Sequence, residues 1–466
     1  VAPLPVGENV HRTVLIAAVA AIGGFLFGYD TAIINGAVSG IQGHYRALPY
    51  QLGLAVSAAL LGSALGAVIA GRLADHIGRI RTMVVAAAMF LVQSFGTGLA
   101  LTLLDFSIWR FIGGIAVGIA SVIAPAYIAE SSAARYRGRL GSLQQLAIVV
   151  GIFIALLVDF AIALAAGGVS STWLLGLPAW RWMFITEVIP AAIYLGGALQ
   201  IPESPRFLVA RGRFDEAREV LVHIVGTAAA SHKVAEIRKT ISSEHRPRLS
   251  DLRGKALGLL PLVWVGILLS IFQQFVGINV IFYYSSVLWQ SVGFSQRSSL
   301  LITTITGLTN IVTTLVAIAT IDKLGRKPLL LVGSAGMVVT LGTMAFLFGT
   351  APLNVHHEPQ LHGAAGVAAL LAANVYVFFF GMSWGPVVWV LLGEMFPNRI
   401  RAAALGVAAG SQWIANFIVS TTFPTLSAIS LGLAYGIYTM CALLSLVFVL
   451  TLVRETRGKE LEAMQA

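Results

Sequence analysis

Apolar stretches long enough to cross a bilayer recur twelve times along this 466-residue chain, at 13–38, 52–71, 82–103, 106–129, 141–164, 180–200, 258–288, 298–321, 328–349, 364–393, 402–422 and 430–453. A helix needs about 20 such residues to span the hydrocarbon, and lipid admits only segments that satisfy their own backbone polar groups. The pattern predicts an all-α membrane protein with twelve transmembrane helices. Composition agrees: with 57% hydrophobic and 11% charged residues, much of the chain needs lipid as its solvent. The first stretch is too long for a signal-peptide core and contains Asp30, so it reads as a retained helix. A polar segment, 201–257, parts the spans into two sets of six. The expected organisation is an N-terminal six-helix bundle (1–200), a cytoplasmic helical linker (201–257), a C-terminal six-helix bundle (258–453) and a tail (454–466).

The net charge of +10 does not point to nucleic acid, because the basic residues sit in short clusters between spans. One set of loops, together with both terminal segments, holds 26 of the 30 Lys and Arg residues. The positive-inside rule then puts both termini in the cytoplasm of a plasma membrane, in a bacterium the inner one. Within 201–257, Pro202 and Pro205 stop the sixth helix. Phe207, Leu208, Ala217, Val220, Leu221 and Ile224 recur at helical spacing opposite Arg213, Glu216 and Glu219. That predicts short amphipathic helices at the cytoplasmic surface. Gly62 with Gly66, and Gly114 with Gly118, are small-xxx-small pairs that allow close helix packing.

One charged cassette occurs twice. Asp75-His-Ile-Gly-Arg79 is answered by Asp322-Lys-Leu-Gly-Arg326, Glu130 with Arg137 by Glu394 with Arg401, and Glu203-Ser204 by Glu455-Thr456, at offsets of 247, 264 and 252 residues. Internal repeats in a membrane chain mark transporters whose halves rock about a central site. Solvated helix-end charges account for any one of these residues but not for the repeated spacings. The expectation is a cytoplasmic gate of Asp75, Arg79, Glu130, Arg137, Asp322, Arg326, Glu394 and Arg401 that favours the state closed to the cytosol.

Inside the spans, Asp30 and Arg110 read as the informative buried charges. A charge at a helix centre costs about 2.5–3.5 kcal/mol on insertion scales, so it persists where it works or is paired. Asp30 is then a proton acceptor biased by Arg110, or the two form a static ion pair, or Arg110 snorkels outward. A proton role requires Asp30 to titrate in the ambient pH range, with burial and Arg110 acting on it in opposite senses. The seventh span carries Gln273, Gln274 and Asn279, and Gln145 and Gln412 lie in the fifth and eleventh. Amides both donate and accept, which suits the hydroxyls of a neutral polyol. Gly277 weakens the seventh helix where a bend is expected, and Gly385-Pro386 is a candidate hinge in the tenth. Trp389 and Trp413 lie in apolar runs and could cover a pyranose face, whereas Trp384 reads as core packing. His356, His357 and His362 read as a solvated external loop, not a metal site. No enzyme, cofactor or nucleotide site is legible.

These residues, with Gly23–Asp30, Pro125–Glu130, Arg137-Gly138, Pro202–Leu208, Gln273–Tyr284 and Trp384–Glu394, resemble the sugar porters of the major facilitator superfamily. The likeness is strongest to bacterial sugar/proton symporters and runs over about 13–462. It implies two pseudo-symmetric six-helix bundles working by alternating access, as a monomer, on a neutral monosaccharide and protons. It implies sugar contacts from Gln145, Gln273, Gln274, Asn279, Trp389 and Gln412, a pocket lined by Phe27, Tyr283 and Trp413, proton coupling by Asp30 with Arg110, and Asn310 near Arg326. The family's usual Gly-Arg-Arg is here Gly78-Arg79-Ile80-Arg81, and its Pro-Glu-Thr is Arg454-Glu455-Thr456. A facilitative uniporter, a non-transporting sugar sensor and an exporter of drugs or organic acids remain as alternatives.

Overall fold

The computed structural model describes residues 10–131, 137–243, 249–353, 359–361, 363–397 and 400–456. His356, His357 and His362 lie outside the described residues, as do the side chains of Arg137 and Asp322. The N-terminal half comprises α1 (Val10–Ala32), α2 (Ile34–Tyr45), α3 (Pro49–Ile77), α4 (Arg79–Leu99), α5 (Leu103–Glu130), α6 (Arg137–Ala166), α7 (Ala179–Ile185) and α8 (Val188–Ala198). Short helices follow: α9 (Pro205–Ala210), α10 (Phe214–Val225) and α11 (Thr227–Ser243). The C-terminal half comprises α12 (Pro261–Phe275), α13 (Ile278–Ser291), α14 (Gln296–Leu324), α15 (Arg326–Thr350), α16 (Gly363–Met382), α17 (Trp384–Met395), α18 (Arg401–Ile429) and α19 (Leu431–Thr451).

Among the described residues, eleven helices or consecutive helix pairs are long and apolar enough to cross a membrane. The sixth expected span is present as α7 followed by α8, parted at Thr186-Glu187. Rows of apolar side chains stay exposed along single helix faces, such as Leu54, Leu61, Leu65 and Val68 on α3 and Leu301, Ile305, Leu308 and Val312 on α14. A helical stripe of this kind on a span-length helix faces lipid. This is an integral membrane protein of two six-helix bundles with a helical insert between them.

Three further spans are interrupted. Gly277 adopts φ +85° between α12 and α13, a left-handed conformation that a side chain resists. The tenth span breaks at Ser383, two residues before the expected hinge, so Pro386 falls in the first turn of α17, where a missing N–H costs nothing. The first span breaks at Ile33, which the sequence did not predict. Close packing of α3 on α5 follows the glycine pairs: a Cβ on Gly114 would lie 1.9 Å from the Ala59 carbonyl oxygen, and one on Gly118 2.2 Å from that of Ser63.

The outermost described residues, Val10 and Thr456, and the insert mark one end of the molecule, called here the terminal end. In the insert, Leu208, Val209 and Ala217 form a small core with Val220, Val234, Ile237 and Ile241, as the amphipathic spacing requires. At the opposite, far end, one core runs without interruption from Val38, Leu52 and Trp180 of the first half to Tyr284 and Trp289 of the second. The N-terminal half's core towards the terminal end, including Ile16, Met83, Ile123 and Tyr127, is a separate cluster. The halves are therefore packed together at the far end.

Candidate functional site

The duplicated cassette folds into duplicated geometry at the terminal end. Gly78 (φ +99°) and Gly325 (φ +94°) turn the chain from α3 into α4 and from α14 into α15. The Arg79 guanidinium donates to both Glu130 carboxylate oxygens, at 3.0 and 3.1 Å. Arg326 does the same to Glu394, at 3.0 and 2.7 Å. Glu203 accepts the N–H groups of Arg79 and Ile80, at 2.9 and 3.2 Å, and Glu455 those of Arg326 and Lys327, at 3.1 and 2.9 Å. Each carboxylate thus caps a helix N-terminus, where exposed N–H groups favour an anion. Ser204 donates to Glu130, and Thr456 to Glu394 at 2.6 Å. Asp75 pairs with Arg79 at 3.1 Å from an exposed position. Arg401 donates instead to the Phe396 carbonyl, at 3.0 Å. The Arg79–Glu130 and Arg326–Glu394 pairs each lie within one half, so as seen here they tie helix ends together rather than joining the halves.

Midway along the bundle, Asp30 and Arg110 meet, both buried. Arg110 Nη1 donates to Asp30 Oδ1 at 2.7 Å and Nη2 to the Asp30 carbonyl at 3.2 Å. The guanidinium does not snorkel. The pair is not alone, which corrects the expectation that these two were the informative buried charges. Gln93 Nε2 donates to Asp30 Oδ1 at 3.2 Å and to Glu187 Oε2 at 2.6 Å, and Ser94 donates to the same Glu187 oxygen at 3.2 Å. Of the two acids, Arg110 donates to Asp30 alone, and Gln93 joins Asp30 to Glu187. The set of two carboxyl groups and one guanidinium goes from a formal charge of −1 to 0 with one added proton. Glu187 sits in the break between α7 and α8. It lies within the expected sixth span, as Asp159 lies within the fifth, so the criterion that selected Asp30 selects both. Asp159 is fully buried.

The amides gather where α12 meets α13. Gln273 Nε2 donates to the carbonyls of Trp384 and Gly385, at 2.9 and 3.2 Å. Gln274 donates to Gln273 at 3.4 Å, and Asn279 donates to Gln274. Asn416, which sequence reasoning missed, donates to the Tyr283 hydroxyl at 3.4 Å. Phe27 and Trp413 approach across the two halves with ring centroids 5.9 Å apart. Gln412 Oε1 is buried without a hydrogen-bond partner, as are both amide atoms of Gln144. The adjacent Gln145 is half-buried. Trp389 is 43% exposed, and among the described residues no hydrogen bond links Gln145 or Trp389 to the other amides. Trp384 is core, its indole N–H donating to Ser334 at 2.9 Å. Asn310 is not near Arg326. The guanidinium donates to the Ile321 carbonyl, and eleven residues of the unbroken α14 put Asn310 about 16 Å away along the axis.

At the far end, hydrogen bonds cross between the halves. Asn35 Nδ2 donates to the Phe282 carbonyl at 2.9 Å, the Ile281 carbonyl at 3.2 Å and Ser285 Oγ at 3.0 Å, while Asn35 Oδ1 accepts the Ser286 N–H at 3.0 Å. Ser57 and Thr421 hydroxyls meet at 2.6 Å, Thr304 donates to the Leu156 carbonyl at 3.2 Å, and Gln296 accepts the Val169 N–H at 3.1 Å.

Comparison with known proteins gives one picture. Residues 16–466 match the family described as "Sugar (and other) transporter". The chain is 60% identical to a glucose transport protein of Synechocystis over 98% of this chain and 97% of that one. It is 37% identical to the D-xylose-proton symporter of Escherichia coli K12, over 97% and 94%. It superposes with a TM-score of 0.83 on the partially occluded inward-open conformation of the xylose transporter of E. coli, at 36% identity, covering 97% of this chain and all of that one.

Proposed function

The chain belongs to the sugar transporter family, and from that premise we propose that it is a proton-coupled monosaccharide symporter working by alternating access. The observation that carries this reading is the buried network of Arg110, Asp30, Gln93 and Glu187 beside a cluster of amides. A facilitator needs the amides alone. A titratable acid held between a guanidinium and a second acid adds a proton site whose occupancy changes how α1 is held to α5.

In this mechanism the sugar binds midway between the halves. Gln145, Gln273, Gln274, Asn279, Trp389 and Gln412 contact it, and Phe27, Tyr283 and Trp413 line the pocket. The amide chain Asn279–Gln274–Gln273 exchanges its mutual hydrogen bonds for sugar hydroxyls, so these three amides find partners with or without cargo. Protonation of Asp30 removes the charge that holds Arg110 and lets the loaded carrier turn inward. Release of the proton on the other side resets it. Sugar and proton act through their differential affinity for the two states. The terminal end, which bears 26 of the 30 Lys and Arg residues, is the cytoplasmic side of the plasma membrane, with both termini there and the far end external. One chain supplies both halves and the entire site, so the monomer is the transport unit.

The test is uptake into proteoliposomes across an imposed pH gradient, with a panel of labelled hexoses and pentoses. One pH unit is worth about 1.36 kcal/mol, so a one-to-one symporter accumulates its sugar up to about tenfold. Flux indifferent to the gradient returns the reading to a uniporter, and binding without label exchange returns it to a sensor.

The cytoplasmic cassettes act as a gate by changing partners when that end shuts. Glu394→Gln weakens its hold on Arg326 and on Thr456, and is expected to shift the carrier towards cytoplasm-open forms. A cysteine label on the cytoplasmic side reads this as faster modification; an unaltered rate removes Glu394 from the gate.

A further inference from the structure

The buried carboxyl of Asp159 takes no part in the proton network. It lies on α6, fully buried. Its Oδ2 accepts the backbone N–H of Gly36 at 3.0 Å, and its Oδ1 has no hydrogen-bond partner. Gly36 lies in the first turn of α2, just past the break in the first transmembrane span. Ile33, at the break, keeps near-helical torsions of −60° and −24°, so no glycine or proline explains the interruption. Side chains that take backbone groups out of the helical ladder are another cause of such breaks. On one side of Ile33 the carbonyl of Asp30 accepts from Arg110; on the other, the N–H of Gly36 is taken by Asp159. The approach is close enough to require glycine, because a Cβ at Gly36 would fall 2.5 Å from the Asp159 Cβ. The preceding residue is Asn35, whose side chain makes four hydrogen bonds between the halves. Two consecutive residues of α2 are therefore held by different halves: Asn35 by α13 of the second half, and Gly36 by Asp159 of the first.

We propose that Asp159 is a positioning residue of the external gate: by accepting the Gly36 N–H it fixes where α2 begins, and so the register in which Asn35 meets α13. The function lies in the acceptor oxygen. When it is lost, the orphaned N–H of Gly36 draws α2 back towards a continuous helix, Asn35 rotates away from α13, and the external end loosens. This rests on the alternating-access reading for its name but not for its test, which needs neither sugar nor a proton gradient.

The experiment uses the full chain in intact cells, in a Cys441→Ser, Ser57→Cys background. Ser57 is fully buried at the seam between the halves. A membrane-impermeant maleimide supplied from outside reports opening of the external end. Asp159→Ala is expected to speed labelling about tenfold, the loss of one buried hydrogen bond. Asp159→Asn, which keeps an acceptor oxygen in place, is expected to label at the background rate. Asn35→Ala is expected to speed labelling as Asp159→Ala does. The double variant Asn35→Ala/Asp159→Ala should exceed neither single variant appreciably, because both cut one path. If Asp159→Ala fails to reach the membrane, Asp159→Ser, whose hydroxyl is too short to replace the carboxylate, takes its place with the same expectation. Background labelling in Asp159→Ala or Asp159→Ser overturns the proposal. So does fast labelling in Asp159→Asn, which would assign the role to the charge. Loss of pH-gradient dependence in transport, with these labelling rates as expected, would overturn symport and leave the positioning role standing.

Discussion

Asp30→Asn abolishes uphill sugar accumulation in proteoliposomes with an imposed pH gradient, while exchange of labelled sugar down its own gradient persists. The substitution keeps the size of the side chain and an oxygen for the bonds from Arg110 Nη1 and Gln93 Nε2. It removes the group that takes and releases a proton. The loaded carrier can then still turn, but its turning is no longer linked to proton occupancy, so a pH gradient does no work on it. The expected change is from about tenfold accumulation per pH unit to none. Paired measurements of net uptake and of equilibrium exchange check it. Accumulation equal to the unsubstituted protein removes Asp30 from coupling.

Arg110→Met lowers the stability of the purified protein in detergent by about 3–5 kcal/mol, the effect of removing one partner of a buried ion pair. Asp30 and Glu187 then face each other across Gln93 with no cation between them. Adding Asp30→Asn to Arg110→Met restores most of the loss, because the orphaned carboxyl is gone. The four proteins form a double-mutant cycle. A coupling energy below about 0.5 kcal/mol would mean that Asp30 and Arg110 are neighbours without being energetic partners. The two tests are independent: the first reads transport and the second reads folding, so a pair that is merely structural passes the second and fails the first.

Asp30 and Arg110 were legible as a pair because a charge inside an apolar span is costly anywhere in the bilayer. The same criterion applies to Asp159 and Glu187, which lie in the fifth and sixth expected spans, yet nothing in their local sequence says what they touch. Gln93 is the clearest case. It is one amide in an apolar helix, and it matters because it stands between Asp30, 63 residues before it, and Glu187, 94 residues after it. The bend at Gly277 followed from glycine's tolerance of positive φ, whereas the break at Ile33 had no local signal: beside it stands an aspartate from another helix, accepting the Gly36 N–H. The likeness between the two cassettes foretold matching geometry, and Glu203 and Glu455 do cap α4 and α15 alike. It did not foretell that Arg79–Glu130 and Arg326–Glu394 each stay within one half.

The sequence by itself determined that the chain spans a membrane twelve times in two matched halves, and which residues are expensive enough there to have a purpose. Those properties depend on local composition, on the period of the apolar positions and on the spacing of a repeat. Only the tertiary structure decided that Gln93 joins the Arg110–Asp30 pair to Glu187, how α2 is held between Asp159 and α13, and at which end the halves close. Partners scores of residues apart meet only through packing, and the two closures of a carrier share one sequence and differ by a small free energy that no local pattern encodes.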